Sequence, residues 1–206
     1  MIHKYSGLVI GLLILLLNTS LWGDNRYTTV YEPDRSYLTR GTLLIKGSSE
    51  LLNSVFLDFN SYTDWVLEGM TRESEIASSL PAFLVSINPV SDRDNPNLLE
   101  IEYDLNTFIK KRGLKAYFTT QWSIGDAGII DTLSFEYTGS RNILKEASYV
   151  LFFTPLDEGI QIDFICKAKL SLILDLFFSL KLYEKNIGYY IEGLSDNLKK
   201  KLENHP

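Results

Sequence analysis

Histidine and cysteine are almost missing from this chain of 206 residues, which has two histidines and one cysteine. His3 and His205 lie at the two ends of the sequence, so the folded core has no histidine for a Ser-His-Asp or Cys-His arrangement. Cys166 alone can form neither an intramolecular disulfide nor a cysteine–histidine metal site. The sequence therefore predicts no catalytic triad, no such metal site and no cofactor.

Phosphate-binding loops and extended basic clusters are also missing. The turn of residues 125–128, Gly-Asp-Ala-Gly, is too short for a phosphate loop and joins two predicted strands. The formal net charge is −6, and the basic run at residues 199–201 suits the C-terminal end of a helix. Neither a nucleotide nor a nucleic-acid partner is therefore expected.

The N-terminus has the pattern of an export signal. His3 and Lys4 precede an unbroken apolar run at residues 7–17, and polar or small residues follow as far as Gly23. We expect a signal peptide at residues 1–23 and a periplasmic or otherwise exported protein, and the single cysteine suits a bacterial periplasm. An uncleaved anchor is the alternative, although the run is short for a bilayer span of about 20 residues. Residues 24–36 are polar and predict a linker or surface arm, followed by one domain at residues 37–206.

Strands dominate the middle of the chain and a helix ends it. A first strand at residues 37–47 is followed by two short helical segments as far as Met70. Strict alternation, for example Leu99, Ile101 and Tyr103 between acidic residues, then predicts about six strands joined by short turns, an antiparallel meander with one buried face. At residues 171–203 apolar residues recur at steps of three and four, which predicts one continuous amphipathic helix that covers this face.

Residues 49–56 and 59–65 carry a family resemblance. They contain the Val55-Phe56 pair on a predicted helix, a break after Asp58, and Tyr62 shortly before Trp65. With the element order, this is similar to the START-like superfamily of helix-grip proteins, which includes polyketide cyclases, plant pathogenesis-related proteins and START lipid-transfer domains. The resemblance covers about residues 38–202. It implies an α+β fold in which about seven curved antiparallel strands wrap around the C-terminal helix, with a lipid, sterol, quinone or polyketide between them. It transfers no catalytic residues, because the superfamily has no universal catalytic set.

Side chains on the predicted inner faces are the candidate ligand-binding residues. Aromatic rings with polar tips suit an apolar pocket in which a few hydroxyls orient a ligand. The alternative is that the rings simply fill a solid core. The ten candidates are Trp65, Tyr103, Phe118, Trp122, Asp131, Phe135, Tyr149, Phe164, Ile187 and Tyr190.

Asp131 is the candidate for acid–base chemistry. It is in phase with Leu133 and Phe135, so alternation directs its carboxylate inward, where it would bond a ligand hydroxyl or transfer a proton. Solvation at the strand end is the alternative.

Two parts of the terminal helix depart from a simple amphipathic pattern. Gly188 and Gly193 lie inside the helix and predict a close approach, a bend or room for a ligand, or are tolerated on an exposed surface. Residues 173–178 are apolar on nearly all sides, which predicts contact with a membrane or partner, or burial beneath the N-terminal arm.

These patterns favour a non-enzymatic, monomeric carrier of a lipid or another hydrophobic small molecule, with transient membrane contact. One alternative is a cyclase-like or isomerase-like enzyme that uses Asp131 and a pocket tyrosine. The other is an envelope interaction protein without a cavity.

Overall fold

The computed structural model describes residues 26–70, 79–91, 95, 97–107, 110–139 and 143–203. The signal peptide predicted at residues 1–23 lies outside these residues. The strands are β1 (Arg26–Tyr31), β2 (Tyr37–Ile45), β3 (Ala82–Pro89), β4 (Leu98–Asn106), β5 (Lys110–Ile124), β6 (Ile130–Tyr137), β7 (Leu144–Leu156) and β8 (Gly159–Leu170). The α-helices are α1 (Leu52–Phe56), α2 (Tyr62–Val66), α3 (Leu172–Asp175) and α4 (Leu180–Glu203). None of these described helices is both long and apolar enough to cross a bilayer.

All eight strands form one antiparallel sheet in the order β1-β2-β8-β7-β6-β5-β4-β3. Strands β3 to β8 follow one another as hairpins, as their alternation and short turns predict. Residues 26–31 form an edge strand on β2 instead of the linker or arm that their polar composition predicts. The reason is their high content of β-branched and aromatic residues, from Tyr27 to Tyr31, which fits a half-buried strand.

Helices α1 and α2 lie between β2 and β3 and close one end of the sheet. The Ser48 hydroxyl accepts a hydrogen bond from the Glu50 backbone N–H at 3.2 Å and caps the turn that leads into α1. Asn53 then joins α1 to the β5–β6 turn, since its amide donates to the Gly128 carbonyl at 2.9 Å and accepts from the Ile130 N–H at 2.8 Å. These bonds fix the helical segment over the end of the sheet.

The prediction of one continuous helix at residues 171–203 is wrong. Helix α3 ends at Asp175, and α4 begins at Leu180. The Ser179 hydroxyl accepts a hydrogen bond from the Leu182 N–H at 3.2 Å, which starts α4 as a new helix. The Tyr37 hydroxyl donates a hydrogen bond to the Phe178 carbonyl at 2.7 Å. This tertiary bond helps hold the chain between α3 and α4 in a non-helical path.

Both edge strands of the sheet reach helix α4. On β1, the Tyr27 hydroxyl lies so close to Gly188 that a Cβ there would sit 2.3 Å from it. On β3, the Leu84 N–H donates to the Tyr190 hydroxyl at 2.8 Å, and the Asn186 amide donates to the Ala82 carbonyl at 2.9 Å. One helix can meet both edges only if the sheet curves around it. The predicted α+β arrangement is therefore confirmed, with eight strands instead of about seven.

Candidate functional site

A cavity of about 370 Å³ lies between the concave face of the sheet and helix α4. Its walls come from β2 to β8, from α1 and α2 at one end, and from residues 170–178 at the other. Its aliphatic and small apolar lining residues are Leu43, Val66, Ala82, Leu84, Ile87, Leu99, Ile101, Leu105, Ala116, Ile143, Leu144, Leu151, Ile162, Ala168, Leu170, Leu174, Ile187, Ile191, Leu194 and Leu198. Aromatic rings, Cys166 and Asn186 complete the surface. A volume of this size falls within the range of small-molecule sites, about 300–1,000 Å³.

Eight of the ten candidate ligand-binding residues line this cavity, and two do not. Those on the cavity wall are Trp65, Tyr103, Phe118, Phe135, Tyr149, Phe164, Ile187 and Tyr190. They come from seven different elements, α2, β4 to β8 and α4, because each strand turns its inner phase to the same concave face. Their contact with a ligand stays a prediction.

The inward prediction for Asp131 is wrong. Ser123 pairs with Thr132, whereas Ile124 pairs with Ile130, so Asp131 is the extra residue of a β-bulge. The bulge reverses the phase of alternation, and the buried residue at this end of β6 is Ile130. The Asp131 carboxylate is exposed and accepts a hydrogen bond from the Ser123 hydroxyl. It therefore lies outside the cavity.

Trp122 is also misplaced by the sequence pattern. It keeps the phase of Phe118 and Thr120 on β5, but 41% of its surface is exposed. Its ring packs against Phe59, with the ring centroids 5.8 Å apart. The turn that carries Phe59 meets this end of β5, so Trp122 covers the turn from outside and does not reach the cavity.

Two of the tyrosine hydroxyls on the cavity wall form hydrogen bonds with the protein itself. The Tyr62 hydroxyl donates to the Phe56 carbonyl at 2.6 Å, and the Tyr190 hydroxyl accepts from Leu84 on the edge of β3. Burial raises the pKa of Tyr62, Tyr149, Tyr183 and Tyr190, and it raises the pKa of Tyr103 to about 12. These phenols are therefore neutral near pH 7 and cannot act as bases there.

Charged side chains do not contribute to the described lining, which contains no Asp, Glu, Lys, Arg or His. Trp65 is only 2% exposed, and its indole Nε1 has no hydrogen-bond partner among the described residues. Burial raises the pKa of the Cys166 thiol to about 12, so this group is a neutral part of the wall. Such a surface can hold an apolar, uncharged molecule, because a buried charge would find no countercharge.

Metal binding has no support in the part of the chain that the structure describes. No group of three or more His, Cys, Asp or Glu side chains there is arranged to hold a metal ion.

The glycines of α4 have structural roles outside the cavity. A Cβ at Gly188 would meet Tyr27, and a Cβ at Gly193 would lie 2.1 Å from Cε of Met70. Of the roles that the sequence left open for these two glycines, the structure shows close approach to neighbouring side chains. The glycines do not enlarge the ligand cavity.

Sequence reasoning missed the aliphatic part of the lining. Ile101 and Leu151 are in phase with the named aromatic residues of their strands, so the same alternation could have found them. Leu174 and Phe178 were open to either face, because residues 173–178 are apolar throughout. Only their contacts in the fold identify them as wall residues.

No family model matches the sequence. No curated protein matches it at a significant level either. The fold, however, is similar to several solved structures. A START superfamily protein from Mycobacterium smegmatis superposes with a TM-score of 0.51 at 15% identity, covering 81% of this chain and 97% of that one.

Two further structures agree. A conserved protein from Geobacillus kaustophilus gives a TM-score of 0.52 at 13% identity, covering 79% of this chain and 92% of that one. The di-domain ARO/CYC protein BexL gives 0.53 at 10% identity over 85% of this chain, which spans 52% of BexL. With the eight-stranded sheet curved around α4, these matches show that the chain has the helix-grip fold of the START-like superfamily.

Proposed function

We propose that this protein binds and carries an uncharged, lipid-like small molecule in the cavity between the sheet and helix α4. The observation that supports it is the lining itself: a cavity of about 370 Å³ lined by aliphatic and aromatic side chains, without a charged group among the described residues. Removal of apolar ligand surface from water supplies the binding free energy. A ligand that loses roughly 400 Å² gains about 10 kcal/mol. Association costs of at least about 4 kcal/mol leave at most about 6 kcal/mol, which corresponds to a dissociation constant of tens of micromolar or weaker.

The cavity volume limits the ligand. A cavity of about 370 Å³ lies at the small end of the range of about 300–1,000 Å³ found for sites that bury a drug-sized ligand. One alkyl chain, or a compound of two or three rings, is of this size, whereas a phospholipid with two long chains is not. We therefore propose a single-chain or small polycyclic molecule as cargo.

Catalysis is the weaker interpretation. The enzymatic alternative needs Asp131, which lies outside the cavity, and a pocket tyrosine, whose pKa is raised by burial. The printed name of BexL describes an ARO/CYC protein, but fold similarity at 10% identity does not transfer an activity. The third alternative, an interaction protein without a cavity, does not fit a cavity of about 370 Å³.

Export is the second part of the proposal, and it is supported by residues 1–23 alone. A periplasmic or envelope location would suit a carrier that moves an apolar molecule through an aqueous compartment. Fractionation of the producing cell, with N-terminal sequencing of the protein, tests it. A cytoplasmic protein that retains residues 1–23 contradicts it.

The carrier proposal is tested by extracting the purified protein with organic solvent and identifying the released compound by mass spectrometry. Displacement by N-phenyl-1-naphthylamine, an uncharged fluorescent probe, then gives the affinity. We expect a stoichiometric apolar compound and probe binding in the micromolar range. A protein that releases no compound and binds no probe contradicts the proposal.

A further inference from the structure

Exposed apolar side chains are concentrated in residues 172–180, which we call the apolar segment. Exposed apolar residues that are scattered singly are ordinary, but a contiguous group marks a contact surface. The other face of this segment lines the cavity through Leu174 and Phe178. The segment is therefore a thin wall between the ligand space and the surroundings. Its exposed members are Leu172 (53%), Ile173 (61%), Leu176 (71%), Phe177 (56%) and Leu180 (37%).

Asp175 fixes the orientation of the apolar segment. Its side chain is 3% exposed and accepts hydrogen bonds from the Tyr31 hydroxyl at 2.8 Å and from Arg35 Nε at 2.9 Å. Because this carboxylate is held on the buried side of α3, Ile173 and Leu176 point away from the domain. The hydrogen bonds of Asp175 thus keep these apolar side chains exposed to solvent. Burial of apolar surface alone would favour the opposite rotation of α3.

Several exposed basic side chains lie at the same end of the domain as the apolar segment. The Ser171 N–H donates to the Ile143 carbonyl, which places exposed Lys145 beside the segment. Phe177 shares a surface depression with Asn106, which pairs with Lys110 at the start of β5. Exposed Lys110, Lys145 and Lys181 lie next to these contacts in the sequence, Lys111 and Arg112 follow Lys110, and Glu146 follows Lys145. The basic side chains stand out in a chain whose net charge is −6.

We infer that the apolar segment docks this protein on the surface of an anionic lipid bilayer, at the end of the cavity where the ligand enters and leaves. This inference rests on the proposed carrier function. Leu172, Ile173, Leu176 and Phe177 enter the interfacial region, while the lysines and Arg112 at this end of the domain contact anionic head groups. Since Leu174 and Phe178 belong to the same segment, its movement on docking opens the cavity directly to the lipid phase.

A bilayer fits this surface better than a second copy of the chain. A symmetric dimer through the apolar segment would bring two sets of the same cations together, and like charges oppose such contact. An anionic lipid surface instead complements an apolar segment with basic side chains at the same end of the domain. The continuity of the segment with the cavity wall also explains why the two features lie at the same place.

The test is co-sedimentation of the chain from Asp24 onward, which contains every described element, with phosphatidylcholine vesicles with and without phosphatidylglycerol. We expect binding at least tenfold stronger to the anionic vesicles. Ile173→Ser/Leu176→Ser should weaken it at least tenfold, because two exposed side chains that enter the bilayer are lost. The matched control is Leu44→Ser/Leu156→Ser, which removes side chains that are 63% and 48% exposed elsewhere and should leave binding unchanged.

A second measurement does not depend on loss of binding. Leu176→Trp in a Trp122→Phe background should shift its fluorescence to shorter wavelength when anionic vesicles are added. Equal binding by the two double variants, or no shift, overturns the inference. So does a concentration-dependent dimer that Ile173→Ser/Leu176→Ser abolishes, because the occupant is then a second copy. Bound compound measured in the same samples separates the two proposals: a protein that retains its ligand but ignores vesicles contradicts docking alone.

Discussion

Ala116→Leu is expected to stabilise the ligand-free protein and to weaken ligand binding. Ala116 lies on β5, is 4% exposed and lines the cavity. A larger side chain at this position would extend into empty space. In a fully packed interior the same change costs about 1–3 kcal/mol, because neighbouring side chains are forced out of their rotamers. The sign of the effect therefore distinguishes a cavity from a solid core.

The magnitude follows from the three carbons that leucine adds. Burial of each is worth about 0.8 kcal/mol, or about 2.4 kcal/mol in total. Loss of side-chain rotamers subtracts about 0.5–1 kcal/mol. The free energy of unfolding should thus rise by about 1.5 kcal/mol, which raises the urea midpoint by roughly 0.5–0.75 M for a slope of about 2–3 kcal/mol per M.

Ala147→Leu is the matched control. Ala147 belongs to the same apolar cluster as Ala116 and is 7% exposed, but it is not part of the cavity lining. Here the added carbons have no free space, so we expect a loss of about 1–3 kcal/mol. The assay is urea unfolding of delipidated protein, with titration of an apolar probe in parallel. Equal destabilisation by both substitutions, with probe binding unchanged, would refute the assignment of this space as a ligand cavity.

Three other predictions concern the anchor, the buried tyrosines and the thiol. Asp175→Ala should lower the free energy of unfolding by about 2 kcal/mol in urea titrations, because the hydroxyls of buried Tyr37 and of partly exposed Tyr31 lose an acceptor. An unchanged midpoint contradicts this. Burial raises the pKa of Tyr103 from 10.0 to about 12. The neutral phenol's contribution to stability is therefore complete below about pH 10 and is lost as the pH rises towards 12. Urea midpoints measured across that pH range should fall accordingly. Cys166 should react slowly with methyl methanethiosulfonate at neutral pH and more slowly with a bound apolar probe; no protection by the probe contradicts its place on the cavity wall.

Alternation along single strands was enough to predict the aromatic side chains that the strands contribute to the cavity wall. Phe118, Tyr149 and Phe164 lie in regular parts of their strands, where every second side chain faces the helix. Asp131 lies where β6 has one residue more than β5, and no property of β6 alone reveals a bulge. A bulge arises from the pairing between two strands. The alternation of one strand therefore predicts which side chains face inward only as far as the next bulge in its pairing with a neighbouring strand.

Composition misled the prediction at the N-terminal edge strand. Arg26, Thr28 and Thr29 make residues 26–31 polar, which favours a linker, yet every residue of the segment pairs with β2. An edge strand with one wet face needs few apolar residues, and its β-branched and aromatic content was the better indicator. The Tyr27 ring supplies its main contact with the terminal helix, beside Gly188.

The rotation of the apolar segment could not be predicted from periodicity. Residues 172–178 offer an apolar stripe on either side of a helix, so hydrophobicity favours neither. The decision comes from the contact between Asp175 and Arg35, which are 140 residues apart in the sequence. A polar residue in an apolar run was the one available signal, because a buried carboxylate needs a partner and thereby fixes which side faces inward.

The cavity persists because polar bonds hold its walls at fixed positions. A void of about 370 Å³ would cost about 9 kcal/mol at roughly 24 cal/mol per Å³, which is comparable to the whole stability of a typical domain. Movement of β3 towards the opposite strands would reduce the volume of this void. It would, however, break the hydrogen bond between Leu84 and Tyr190 and the one between Ala82 and Asn186, which join β3 to α4. Thr63 holds the same edge through both the N–H and the carbonyl of Ile87, at 2.8 and 2.7 Å. An edge strand fixed to the helix and to α2 in this way keeps space open at a cost in packing, and a bound apolar molecule is what would recover that cost.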